Sequence, residues 1–150
     1  MDELRLEELS ATNIVAANTL SLKPGQEQFV APVTYAAEAS VINPATTWQR
    51  VVTLGGKVVG YVQANFDPDE SREELRACIW RINVDADVQG KGVGRFAVKA
   101  VTEEAKSRGF DHITVMWEPG TGGPGEFFHR IGFVDVGESA YGDVIGSLPA

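Results

Sequence analysis

From residue 75 to residue 117 the chain reads LRACIWRINV, DADVQGKGVG, RFAVKAVTEEAKSRGFD and HITVMW. An apolar run is followed by three glycines on alternate positions, Gly90, Gly92 and Gly94. An amphipathic pattern and a second apolar run come next. This succession predicts strand, turn, helix and strand, and so a mixed α/β sheet. On the first strand, alternation places Cys78, Trp80, Ile82 and Val84 on one face and Ile79, Arg81 and Asn83 on the other. From Gly92 onward, Val93, Phe96, Ala97, Ala100, Val101 and Ala105 mark the apolar stripe of a helix. Gly109 is placed to end it in the left-handed conformation.

The flanking sequence extends the sheet. DELRLEEL suits a short first strand through Leu4 and Leu6. ATNIVAANTLSL has near-helical apolar spacing, with Thr12 or Asn13 as N-cap, and a second helix is expected after Pro32. TWQRVVTL and KVVGYVQANF flank Gly55-Gly56 and read as an antiparallel hairpin. After the central unit, EPGTGGPG is a glycine-rich loop and GEFFHRIG a short helix stopped by Gly132. FVDVGE and YGDVIGSL close the chain as two strands. The expected order is β-α-α-β-β-β-α-β-α-β-β, in one domain spanning residues 1–150.

Charge and composition narrow the function classes. The net charge is -8, which argues against a general nucleic-acid binder and is compatible with cationic ligands. The single cysteine, Cys78, permits no intrachain disulfide and reads as a buried thiol in a reducing compartment. No apolar stretch has the length of a membrane span, and the acidic start MDELRLEELS is unlike a signal peptide. A cytoplasmic protein with no membrane partner is expected.

Alternating glycines allow close backbone approach and can aim successive N–H groups at one point. The helix that follows adds its unpaired N–H donors and positive dipole end. Lys91, Arg95 and Lys99 add cations beside the turn. An anion site is one reading, and a glycine turn that only packs a helix on a strand is the other. The phosphate loop Gly-x4-Gly-Lys-Ser/Thr is absent from the sequence. The dinucleotide fingerprint fits only in its looser form, Gly92-x-Gly94-x-x-Ala97, without the acidic residue that should end a strand some 20 residues on.

Gln89-x-x-Gly92-x-Gly94, preceded by an apolar strand and Val84-Asp85-Ala86-Asp87, resembles the acetyl-CoA signature of the GNAT superfamily of N-acetyltransferases. GGPGEFFHRIGF, residues 122–133, resembles the helix and Gly-Phe that close such proteins. FVAPVTYAAEA and WRINVDADVQGKGVG are more loosely similar to bacterial diamine and polyamine acetyltransferases. The resemblance implies the GNAT-like acyl-CoA N-acyltransferase fold and acetyl-CoA as co-substrate, with no metal. Its acceptor would be a primary amine on a small molecule, a diamine or polyamine being the leading expectation. A protein amine acceptor and a non-catalytic acyl-CoA-binding module are the alternatives. A homodimer is compatible with the resemblance.

Carried over by position, Ile82, Asn83 and Val84 would offer backbone groups to the pantetheine arm. Gly90, Lys91, Gly92, Val93, Gly94 and Arg95 would hold the pyrophosphate, with Gln89 shaping the turn. Thr121 falls where the family often has a cofactor-contacting Asn. The family's usual proton donor to the sulfur is a Tyr four residues before the Gly of Gly-Phe, and that position here is Phe128. His129, Tyr141 and Ser139 are then the nearby donors, or the thiolate leaves without one. Glu118 is the expected base, acting through water. Tyr35, Glu38 and Trp80 are the expected acceptor-binding residues, with Trp48 and Trp117 as further aromatics.

Overall fold

The computed structural model describes residues 3–8, 10–13, 15–16, 46–85, 88, 92–117, 125–138 and 142–150. Seven strands form one sheet: β1 (Leu4–Glu8), β2 (Thr47–Leu54), β3 (Lys57–Phe66), β4 (Ala77–Val84), β5 (His112–Trp117), β6 (Val134–Glu138) and β7 (Val144–Pro149). Two helices are described, α1 (Val93–Ser107) and α2 (Gly125–Ile131), with a short 3-10 turn at Glu73–Leu75. The spatial order is β1-β2-β3-β4-β5-β7-β6, antiparallel except where β4 meets β5. The expected mixed α/β sheet is present. Of the first helix expected between β1 and β2, residues 11–13 are described as a turn and 15–16 as helical; the rest of it, the second expected helix, Tyr35 and Glu38 fall outside the described residues.

The stripe of α1 covers one face of the sheet. Val93, Ala97, Val98, Val101 and Ala105 are buried there with Val52, Val62, Ile82, Val84, Ile113 and Val115. Both helices end alike. Phe110 N–H donates to Ala105 O (2.9 Å) and Gly109 N–H to Lys106 O (3.1 Å) at the end of α1. Phe133 N–H donates to Phe128 O (3.0 Å) and Gly132 N–H to His129 O (3.1 Å) at the end of α2. This paired closure needs a left-handed residue, and Gly132 supplies it at φ 124°. The ring of Phe133 then folds back edge-on against Phe128, centroids 5.5 Å apart. The Gly-Phe pair is thus a helix stop with its accompanying apolar contact.

The alternation expected along β4 fails at one residue. Arg81 pairs with Gln63 and Ile79 with Ala64, so Trp80 is an extra residue opposite no partner. Such a bulge shifts every later side chain to the other face. Cys78 and Trp80 accordingly pack with Leu75, Met116 and Ile145 on the face away from α1. Ile82 and Val84 join the core beneath α1. The single face proposed for Cys78, Trp80, Ile82 and Val84 is therefore two faces.

Cys78 is wholly buried, and that burial pushes its thiol up to about 12. A buried neutral thiol does not form the reactive thiolate. A thiol reagent such as DTNB should therefore leave the native protein unlabelled at neutral pH and label one equivalent once it is unfolded in urea. Rapid labelling of the native state would contradict the packing around β4.

Candidate cofactor cleft

β4 and β5 touch at one end and part at the other. Their register contains one pair, Cys78 with Thr114, whereas β3 and β4 pair over seven positions. The closed end is tied by Thr114, whose hydroxyl donates to Glu74 O (2.6 Å). Among the described residues, the β4–β5 register continues no further beyond the Trp80 bulge. A gap in a ladder leaves room for the amides of a ligand to meet strand backbone.

The phase of the β3–β4 ladder tells which groups face the gap. Asp85 N–H donates to Val59 O (2.8 Å), so Asp85 turns its backbone groups toward β3. Alternation then turns Asn83 and Arg81 toward β3, and Ile82 and Val84 toward β5. Of the three strand residues expected to offer backbone groups, Ile82 and Val84 have them on the gap side. Asn83 instead places its buried side-chain amide beside the gap edge. In the orientation that satisfies both ends, its Nδ2 donates to Ile82 O (3.0 Å) and its Oδ1 accepts from Arg81 Nε (3.1 Å).

The wide end of the gap runs into the start of α1. Gly92 is the N-cap at φ 83°, ψ 10°, with no side-chain cap, and the first turn carries no acid. The first intrahelical bond is Phe96 N–H to Gly92 O (2.9 Å). The N–H groups of Gly92, Val93, Gly94 and Arg95 therefore have no acceptor within the helix. A Cβ on Gly92 would have nothing within 4 Å, so open space borders the turn. Exposed Arg95 and Lys99 flank it with positive charge. Together with the helix dipole, this suits a pyrophosphate.

The packing reading of the glycines holds at one of them. A Cβ on Gly94 would meet the Phe127 ring at 2.6 and 2.9 Å. Gly94 is thus the packing glycine that lets α2 cross the first turn of α1, and Gly92 is the open one. Gln89, Gly90 and Lys91 fall outside the described residues, as do Glu118, Thr121, Ser139 and Tyr141.

The remaining expected residues take definite places. Phe128 is 1% exposed, stacked on Trp117 with centroids 5.6 Å and planes 21° apart. His129 lies edge-on to Trp117 (5.4 Å) and its Nε2 is 2.7 Å from Asp135 Oδ1 on β6. That contact holds the imidazole at the half-exposed surface between α2 and β6. Trp80 is 7% exposed in the cluster away from α1. Arg81 and Tyr61, on that same face, were not singled out as site residues by sequence. The only signal for them is the bulge, which alternation alone does not reveal.

Comparison with known proteins agrees with this geometry. Residues 16–133 match the family model described as the acetyltransferase (GNAT) family. N-acetyltransferase 8 of Rattus norvegicus is 28% identical over 91 residues, which are 59% of this chain and 40% of that protein. The chain thus spans less than half the length of that relative. The ribosomal-protein-S18-alanine N-acetyltransferase of Escherichia coli superposes with a TM-score of 0.68 at 20% identity, covering 98% of this chain and 94% of that one. The PaiA N-acetyltransferase of Thermoplasma acidophilum, solved with coenzyme A, gives 0.71 at 9% identity, with 99% of each chain covered. At such identities the structures speak for the fold, while the family model covers most of the sequence. With its parted strands, open helix start and Gly-Phe helix stop, this chain belongs to the acetyltransferase (GNAT) family.

Proposed function

We propose that the domain transfers the acetyl group of acetyl-CoA to the primary amine of a small molecule. The observation that carries this is the continuity of the β4–β5 gap with the uncapped start of α1. A linear amide-bearing arm can pair with Ile82 and Val84 in the gap while its pyrophosphate meets the N–H groups of residues 92–95. Gly90 and Lys91 join them at the pyrophosphate, Lys91 and Arg95 supply charge, and Gln89 shapes the turn. Thr121 supplies one further hydrogen bond. Two structural neighbours, PaiA and an aminoglycoside 6'-N-acetyltransferase, carry coenzyme A in their crystals, which supports the same class of co-substrate here.

In the reaction the neutral amine attacks the thioester carbonyl, the C–S bond breaks, and a proton moves from nitrogen to sulfur. Glu118, the residue after Trp117 in sequence, is the group we assign to take the amine proton through water. Phe128 can donate no proton, and its ring is buried in the core. Tyr141 is the donor we assign, because the imidazole of His129 is engaged by Asp135. A thiolate is also a tolerable leaving group near neutral pH. Diamines and polyamines are included among the acceptors on the strength of the acidic net charge.

The test is thiol release from acetyl-CoA across a panel of primary amines, with product mass measured. Amine-dependent release with a mass gain of one acetyl group on the amine is expected. Tight CoA binding without turnover on any amine would overturn the enzymatic reading and leave a binding module.

A further inference from the structure

Turnover of an amine requires a second approach to the gap. The face under α1 holds the main core, and the transfer reading brings the acceptor to the other face, where Tyr61 and Asn83 are buried and Gln63 and Arg81 are partly buried. The bulge at Trp80 decides what that face presents. Register places Gln49 opposite Gln63 and Gln63 opposite Arg81, one row across β2, β3 and β4. The next row is Val51, Tyr61 and Asn83. Gln49 Nε2 donates to the Tyr61 hydroxyl (2.8 Å), which donates to Gln63 Oε1 (3.3 Å). The Arg81 guanidinium lies 5.8 Å from the centroid of the Tyr61 ring and bonds Asn83 Oδ1.

Every partner of Arg81 in this cluster is neutral. Arg50, Arg72 and Arg108 each have a carboxylate within 4 Å, and among the described residues Arg81 has none. Arg81 is also partly buried, which makes an uncompensated charge more costly than at the surface. Two of its nitrogens are committed to Asn83, and the guanidinium has five N–H donors in a planar fork. The free donors match a carboxylate, whose single charge a single guanidinium neutralises.

Resting on the transfer reading above, we propose that Arg81, braced by Asn83 and Tyr61, binds a carboxylate of the acceptor, so that the substrate is an amino acid or another amine bearing a carboxylate. The location beside the cleft sets the amine toward the gap while the carboxylate is held on β4. This inference departs from the diamine expectation, which the overall charge suggested. A cation acceptor would meet a like charge at this wall of the cleft.

The experiment uses matched acceptors that differ only in this group: α-amino acids and their amides, ω-amino acids, and diamines. Wild-type protein should favour the carboxylate member of each pair in kcat/KM by about tenfold or more, as loss of a charge-assisted pair implies. Arg81→Gln should collapse that ratio through KM for the acceptor, and Arg81→Lys should retain part of it. Unfolding midpoints within error of wild type, or a matching result from Arg81→Met, separate this from misfolding. Calorimetric titration of the same acceptors into the CoA-bound protein runs alongside. Carboxylate binding that depends on Arg81 without turnover would sink the transfer reading and keep the carboxylate site. Turnover with no preference within pairs, a preference that survives Arg81→Gln, or no acceptor binding at all would overturn the proposal.

Discussion

Trp117→Ala is expected to cost about 3–5 kcal/mol of stability, the range for a truncated core aromatic. For a chain of this size that corresponds to a melting temperature lower by roughly 10 °C. The indole is 5% exposed and lies in a slot defined by what is missing around it. A Cβ on Gly125 would stand 2.8 Å from its Nε1, and a Cβ on Gly146 2.7 Å from its Cζ3. Phe128 stacks on the ring and His129 meets it edge-on. Removing the indole therefore unseats α2 from β5 and β7 together. Gly146→Ala should itself destabilise by overpacking, about 1–3 kcal/mol. In the Trp117→Ala background that cost should largely vanish, because the colliding atoms are gone. Urea unfolding of the two single variants and the double variant measures the coupling. A Trp117→Ala protein as stable as wild type, or strictly additive energies, would mean that the indole does not fill a tight slot.

The same slot shows what could be read from the sequence. The helix stop at Gly132, the stripe of α1 and the strand HITVMW each follow from local patterns of period 3.6 or 2, or from one glycine. Trp117 between Gly125 and Gly146 depends on contacts between residues distant in the chain, and no local pattern encodes it. The β4 bulge is the more consequential case. The run ACIWRINV is apolar on both faces before Arg81, so moving one residue out of register leaves the pattern looking regular. The extra residue becomes visible only through its pairing with β3. It carries Ile82 and Val84 into the core under α1 and turns Arg81 and Asn83 to the opposite face. The proposed cofactor end relies on backbone and glycine, which leave a motif. The acceptor end is built from single side chains on three strands, which do not.

Gly92→Val is expected to weaken CoA binding by about 100-fold or more while leaving a folded protein. Two lost hydrogen bonds to a charged phosphate correspond to about 3 kcal/mol. Valine at φ 83° is strained whatever surrounds it, at about 1–3 kcal/mol, so affinity alone does not isolate the phosphate contact. Gly109 provides the control. It lies at φ 89°, at the other end of α1, and a Cβ there also has nothing within 4 Å. Gly109→Val therefore imposes a matched backbone strain on the same helix, remote from the turn. Both variants should lose similar stability in urea, and only Gly92→Val should lose affinity for CoA in calorimetry. Gly92→Asn, which tolerates the left-handed conformation, should restore stability more than affinity, since its side chain still enters the open space. Equal losses of affinity at Gly92 and Gly109 would assign the effect to strain in the helix. Undiminished binding by Gly92→Val would remove the pyrophosphate from the start of α1, and with it the geometric basis for an acetyl-CoA cleft between β4 and β5.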